Sequence, residues 1–156
     1  MKKLAALLIV LFALTAVTLN AGDRLWYENM DKARTAAKES DKPLFLNFSG
    51  SDWCIWCKKL NNEVLSKSAF EQYAKDNLIL VNLDFPQFTS QNDELKKQNQ
   101  QLAQNYRVRG FPTVVILSAD GEEIGRTGYQ PGGPEKYIEH LKSIVNDMEN
   151  KKLRVK

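Results

Sequence analysis

The sequence predicts an α/β domain in which helices cover both faces of a central mixed β-sheet. Two apolar runs, Leu44–Phe48 and Leu78–Phe85, are typical of buried strands, and the first is nearly continuous, as in a strand covered on both faces. Helical patterns separate the two runs, which predicts a parallel pair joined by a crossover. The runs Thr113–Ser118 and Glu122–Thr127 flank an Asp120-Gly121 turn, so they add an antiparallel hairpin.

The remaining apolar residues recur at helical spacing and give the element order α-β-α-β-α-β-β-α. Asp23 is positioned to cap the first helix, and Ser66 a later one. The basic tail Lys151–Lys156 is expected to fray. Gly128–Pro134 is expected to be a plain loop, because it lacks the Gly-Lys-Ser/Thr ending of a phosphate-binding loop. The predicted helices are Asp23–Ser40, a stretch beginning near Cys54, Ser66–Asp76, Asp93–Tyr106 and Glu135–Met148.

The N-terminus has the pattern of a secretory signal peptide. Met1-Lys2-Lys3 is a short basic start, and Leu4–Leu19 is apolar apart from two threonines. This run is shorter than the ~20 residues that a membrane-spanning helix needs, which favours a cleaved signal over an uncleaved anchor. Cleavage after Ala21 divides the chain into a signal peptide, residues 1–21, and a single domain, residues 22–156. The mature protein is expected to be periplasmic or secreted, where disulfides persist.

The composition excludes several classes of function. Of the 156 residues, 43% are hydrophobic and 26% are charged, as in ordinary globular domains. The net charge of +3 includes Lys2 and Lys3 of the predicted signal, and it is too small to indicate nucleic acid as a partner. Two cysteines and the single His140 are too few for a four-ligand zinc site. We therefore expect no metal site. We also expect a monomer without an organic cofactor.

The clearest chemical signal comes from Cys54 and Cys57, which lie where a strand and a turn lead into a helix. The first turn of a helix has unpaired N–H groups and a partial positive charge, so a thiolate at Cys54 would be stabilised and would be the attacking sulfur. Cys57 lies one turn further on the same face and could resolve a mixed disulfide. A permanent structural disulfide, which would constrain the unfolded chain little across so small a loop, and two inert core cysteines are the alternatives.

Two motifs resemble those of the thioredoxin superfamily. They are Trp53-Cys54-Ile55-Trp56-Cys57-Lys58 after a buried strand, and Val108-Arg109-Gly110-Phe111-Pro112-Thr113 before another strand. The resemblance extends from about Asp23 to Met148 and includes exported bacterial thioredoxin-like proteins and single-domain disulfide isomerase relatives. It implies a thioredoxin fold and a thiol-disulfide oxidoreductase. Its substrates would be protein thiols and disulfides, and its redox partner another protein, membrane-bound or soluble.

The same resemblance implies which residues bind the substrate. In the family, the proline of the second motif follows a cis peptide bond and lies against the cysteine pair. Pro112 is therefore expected to be cis, with Phe111 offering its backbone to an extended peptide. Trp53 is expected to pack and shape the site, and Trp56, at an exposed helix start, is expected to contact the substrate.

The chain departs from the family pattern in two places. Asn47 stands where the family carries a buried Asp that assists proton transfer at the second thiol, and Asn cannot titrate. Asp52, expected to be solvated in its turn, and Glu63 are weak replacements. No His lies between the cysteines, so we expect a reduction potential less oxidising than the roughly −120 mV of strong periplasmic oxidants.

Two other functions fit the same residues. The first is a thioredoxin-fold binding or chaperone module in which the cysteine pair is incidental. The second is a membrane-tethered reductase that keeps Leu4–Leu19 and receives electrons from an integral membrane donor.

Overall fold

The computed structural model describes residues 25–154. The predicted signal peptide, residues 1–21, and the predicted cap Asp23 lie outside this range. None of the helices within residues 25–154 combines the length and apolar character needed to span a bilayer.

Five strands form one mixed sheet. They are β1 (Trp26–Tyr27), β2 (Leu44–Ser49), β3 (Ile79–Asp84), β4 (Thr113–Leu117) and β5 (Glu123–Thr127). Their order in the sheet is β1-β3-β2-β4-β5. β3 lies parallel to both β1 and β2, while β4 pairs antiparallel with β2 and with β5. The predicted parallel pair and closing hairpin are therefore confirmed.

Helices cover both faces of the sheet, as predicted. Alternate residues of β2 point to opposite sides, so that Leu44, Leu46 and Phe48 face α1 and α4 while Phe45 faces the other three helices. Every residue of β2 is buried, because this central strand has a helical layer on each side. The helices are α1 (Met30–Ser40), α2 (Ile55–Leu60), α3 (Ser68–Asn77), α4 (Asp93–Asn105) and α5 (Gly133–Arg154), and a π-helical turn, Asn61–Leu65, continues α2.

Three predicted details of the helices are wrong. The first helix begins at Met30 rather than Asp23, because Trp26 and Tyr27 pair with β3 as an edge strand and the side chain of Asn29 caps the helix. The predicted cap Ser66 does not cap α3: its hydroxyl donates to the carbonyl of Asn61, and α3 starts at Ser68. The last helix continues to Arg154, into the tail that was expected to fray.

Candidate active site

The cysteine pair lies at the junction between β2 and α2. Cys54 has an extended backbone and is the N-cap of α2, and its Sγ accepts the N–H of Cys57 at 3.1 Å. The two cysteines form a disulfide across one helical turn, with their Cα atoms 5.3 Å apart. Both are buried, with 5% and 4% of their surfaces exposed. The predicted position at a helix start is therefore confirmed.

The turn before the helix is held by Gly50. The N–H of Cys54 donates to the carbonyl of Gly50 at 2.9 Å, and the N–H of Gly50 points to the Sγ of Cys57 at 3.5 Å. The Trp53 indole passes so close that a Cβ on Gly50 would lie 2.4 Å from its Cε2 atom. Glycine at this position allows the indole to lie over the turn that presents the two sulfurs.

Trp53 joins the two predicted motifs in space. Its ring packs edge to face against Phe111 at 5.7 Å between centroids, and Phe111 is joined to Pro112 by a cis peptide bond. The indole N–H donates to the carbonyl of Phe85 at 2.8 Å, and Phe85 packs against Phe111 at 5.0 Å. Trp53 thus packs against the second motif and Pro112 is cis, both as expected. The role of Trp53 in shaping a substrate site stays a prediction.

Trp56 lies between the two cysteines in the sequence and is 53% exposed. Its ring packs against Tyr129 at 5.5 Å, with the Lys59 ammonium 5.3 Å from the indole and 5.1 Å from the phenol ring. The Tyr129 hydroxyl donates to Glu63 at 2.5 Å, and Glu63 lies 3.8 Å from Lys59. The hydrogen bond to Glu63 is the main cause of a raised pKa at Tyr129. We call the four aromatic side chains Trp53, Trp56, Phe111 and Tyr129 the aromatic rim.

Asp52 lies in the turn before the cysteine pair and is partly exposed, and its carboxylate also binds a neighbouring loop. Its carboxylate accepts the backbone N–H groups of Gln87, Phe88 and Thr89 at 2.8–3.0 Å, which fixes the loop after β3 beside the turn of the cysteine pair. The bond from Gln87 contributes most to lowering the pKa of Asp52. This loop presents Phe88, which is 78% exposed. Three N–H groups stabilise the charged form of this carboxylate, so Asp52 takes up a proton less readily than a free carboxylate. We therefore regard Asp52 as a poor proton carrier.

Asn47 is buried under the pair, with 7% of its surface exposed. Its Oδ1 has no hydrogen-bond partner within residues 25–154. Asn47 pairs in register with Asn82 of β3, and both side chains line a cavity that also reaches Cys57. Glu63, the other weak replacement for a buried acid, is instead engaged by Tyr129 and Lys59.

Sequence reasoning missed two contributors to this site. Tyr129 lies in Gly128–Pro134, which the sequence predicts only as a plain loop, and the loop after Phe85 carries no predicted role. An aromatic residue amid glycines was the available signal for Tyr129.

His140 is half-buried on α5, where it lies 2.9 Å from the Thr127 hydroxyl. Among the described residues, no group of three His, Cys, Asp or Glu side chains could hold a metal ion.

Comparison with known proteins gives concordant results. A family model for a thioredoxin-like domain matches residues 30–144. The disulfide bond reductase DsbH of Chlamydia pneumoniae is 39% identical over 125 residues, which are 80% of this chain and 75% of the relative. The thioredoxin-related protein DsbJ of the same organism is 28% identical over 134 residues, which are 82% of this chain and 38% of the relative. A solved structure of a DsbH oxidoreductase superposes with a TM-score of 0.75 at 37% identity, covering 85% of this chain and 92% of that one.

Proposed function

Because the chain belongs to the thioredoxin-like family and is a thiol-disulfide oxidoreductase, we propose that it reduces disulfides of exported proteins through Cys54 and Cys57. The observation that carries the proposal is the environment of Cys54. Its sulfur accepts the N–H of Cys57 at the start of a helix, beside an aromatic rim. A thiolate formed there is stabilised by that N–H and by the partial positive charge of the helix start.

The reaction consists of two thiol-disulfide exchanges. The Cys54 thiolate attacks a substrate disulfide, which forms a mixed disulfide and releases one substrate thiolate. Cys57 then attacks the sulfur of Cys54, which forms the intramolecular disulfide and releases the second substrate thiolate. The substrate gains two electrons, the protein loses two, and both released thiolates take protons from solvent. Another protein, membrane-bound or soluble, must reduce the Cys54–Cys57 disulfide for the next cycle.

The aromatic rim gives the substrate a place to bind. Trp56 is more than half exposed beside the cysteine pair, so its face is free to contact an apolar segment of a partly unfolded substrate. Phe111, which packs against Trp53 and precedes the cis Pro112, would offer its backbone to an extended substrate peptide. An apolar contact area with backbone hydrogen-bonding groups suits peptide segments of many sequences.

Two features support reduction as the direction of the reaction. The sequence has Ile55 and Trp56 between the cysteines, so no imidazole is present there to favour the thiolate form strongly. The relative from Chlamydia pneumoniae that is 39% identical is named as a disulfide bond reductase. We expect a redox titration against glutathione, followed by Trp fluorescence, to give a potential more negative than about −120 mV.

Export is part of the same proposal and rests on the basic start and apolar run of residues 1–21. Mass spectrometry of the protein recovered from the exported fraction should give a mature chain starting near Gly22. Retention of Leu4–Leu19 would instead support the membrane-tethered form.

Reduction of insulin disulfides tests the enzymatic proposal. Wild-type protein should precipitate the insulin B chain in the presence of a dithiol reductant, and Cys54→Ser should lose this activity. Equal activity in both proteins would contradict the proposal. It would leave a binding or chaperone module, for which the exposed Ile55, Trp56 and Phe88 provide an apolar surface.

A further inference from the structure

A cavity of about 930 Å³ lies beneath the cysteine pair, on the side of Cys57. The ends of β1, β2 and β3 form one wall, and α2 with its π-helical turn forms the other. Cys57 lines this cavity, whereas the lining includes neither Cys54 nor any residue of the aromatic rim. Five of the fifteen lining residues carry side-chain amides, namely Asn29, Asn47, Asn61, Asn62 and Asn82. We call it the amide cavity.

Asn47 is the most buried polar residue that lines the amide cavity. It is 93% buried, and its Oδ1 lacks a hydrogen-bond donor within residues 25–154. A buried carbonyl oxygen is rarely left without a donor, and an ordered water is the usual partner when the site is polar and roomy. The cavity satisfies both conditions, because Asn82 lies opposite Asn47 in register and lines the same space.

The charged groups around the amide cavity are at its edges. Glu28, from the loop after β1, and Lys32, from α1, are exposed, and Lys58 of α2 donates its ammonium to the carbonyl of Asp52 at 2.8 Å. Asp84 at the end of β3 accepts both the N–H and the hydroxyl of Ser51. Besides Glu28, Lys32 and Lys58, the titratable groups in the lining are Tyr27 and Cys57. Among the described residues that line the cavity, none is a buried carboxylic acid or an imidazole.

We propose that Asn47 is a positioning residue that holds water against Cys57 in the amide cavity, and that this water exchanges the Cys57 proton with solvent. The inference rests on the proposed function and specifies its second exchange. Cys57 passes its thiol proton to the cavity water, and the resulting thiolate attacks the sulfur of Cys54. The bond between Cys54 and the substrate sulfur breaks, and the departing thiolate is protonated by solvent on the substrate side. Thus proton exchange at Cys57 and substrate exchange at Cys54 use opposite sides of the disulfide.

The two steps can be separated with the reduced protein and the aromatic disulfide 5,5′-dithiobis(2-nitrobenzoate), whose released thiolate is coloured. The first equivalent of coloured thiolate reports attack by Cys54, and the second reports attack by Cys57. Stopped-flow traces from pH 5 to 9 would compare wild type with Asn47→Leu and Asn47→Asp. Asn146→Asp on the exposed part of α5 is the matched control for the added carboxylate.

We expect Asn47→Leu to slow the second phase roughly tenfold at pH 7, because a rate effect of this size corresponds to the loss of one positioned hydrogen bond. The first phase should be unchanged. Asn47→Asp should add an inflection to the pH profile of the second phase, because a buried carboxyl can take the proton itself. Asn146→Asp should reproduce the wild-type profile.

An unchanged second phase in Asn47→Leu, or equal slowing of both phases, would overturn the inference. If Asn47→Leu does not fold, Asn47→Asp decides, because its side chain has nearly the same shape. A wild-type pH profile in Asn47→Asp would then overturn the inference. Failure of the wild-type protein to release a second equivalent would instead refute the proposed function.

Discussion

Cys54 and Cys57 are buried to the same extent, yet the two sides of their disulfide have opposite character. The side of Cys54 is bounded by the aromatic rim, in which Trp53 contacts Phe111 and Trp56 contacts Tyr129. The side of Cys57 borders the amide cavity, where the buried Asn47 has a carbonyl oxygen with no hydrogen-bond partner among the residues that the structure describes. The two sulfurs of this disulfide therefore have different surroundings. Aromatic side chains lie beside one of them, and a polar cavity borders the other. The proposal is that substrates meet Cys54, and that Cys57 completes the exchange from the side of the cavity.

The largest expected effect comes from removing one sulfur at a time. Cys57→Ser should accumulate a covalent adduct with a protein disulfide substrate, because Cys54 can attack and no second thiol can release the product. A non-reducing gel of the reduced variant mixed with oxidised insulin would show the adduct, and peptide mapping would locate it on Cys54.

Cys54→Ser is the matched control, and it should form little adduct under the same conditions. Equal trapping by both single variants would mean that the two sulfurs are equally accessible, contrary to the contrast between the two sides.

A second prediction concerns the apolar side alone. Trp56→Ala should lower kcat/KM for a protein disulfide roughly tenfold, because an exposed indole beside the nucleophile contributes binding energy of the size typical of interface aromatics. Turnover of a small disulfide such as hydroxyethyl disulfide should change little, since it does not extend to the rim. Parallel losses on both substrates would show that Trp56 supports the cysteines rather than the substrate.

A third prediction tests how the apolar side is built. Gly50→Ala places a methyl group 2.4 Å from the Trp53 indole, so the ring must move. We expect a loss of about 1–3 kcal/mol in the free energy of unfolding, as for overpacked cores, with a shift in Trp fluorescence. Gly110→Ala is the matched control, because a Cβ there meets no atom within 4 Å. Urea unfolding of both variants measures the difference, and equal stability would contradict the packing described for Trp53.

The smallest expected effect concerns the loop fixed by Asp52. Hydrogen bonds from Gln87, Phe88 and Thr89 lower the pKa of Asp52 in the folded protein below its usual 3.8. The stabilisation is therefore present above this pH and is lost as the pH falls through the folded value. Asp52→Asn should be less stable than wild type at pH 7, with the difference shrinking below pH 3.8.

Asp76→Asn on α3 serves as the control for the Asp52 substitution, since it makes the same change at an exposed position. Urea unfolding at pH 7 and pH 3 would compare the three proteins. A destabilisation of Asp52→Asn that is the same at both pH values would show that charge does not hold the loop.

The sheet and the cysteine site were accessible to sequence reasoning because their signals are local. Leu44–Phe48 is apolar throughout, and the cysteines lie in a compact motif next to that strand. Position at the start of a helix follows from the order of strand, turn and helix. The cis bond before Pro112 followed from resemblance, since nothing in the dipeptide Phe111-Pro112 alone distinguishes cis from trans.

The features that were missed depend on contacts between distant segments. β1 has only two residues and exists because Trp26 and Tyr27 pair with Leu80 and Val81, so no local pattern marks it. Asn99 is buried in a polar helix because its amide donates to the carbonyl of Asp84 at 2.9 Å.

The role of Asp52 likewise depends on a loop 35 residues later in the chain. Hydropathy and spacing report which face of an element is buried. They do not report which polar group a distant backbone will meet.

The central claim is that the Cys54 sulfur is made reactive by its place at the start of α2. Alkylation of the reduced protein with limiting iodoacetamide from pH 4 to 9, with mass spectrometry of the two cysteine peptides, tests it directly. Cys54 should be modified first, and the pH midpoint of its alkylation rate should lie well below the ~8.5 of free cysteine. Modification of Cys57 first, or a Cys54 profile that coincides with that of free cysteine, would contradict it.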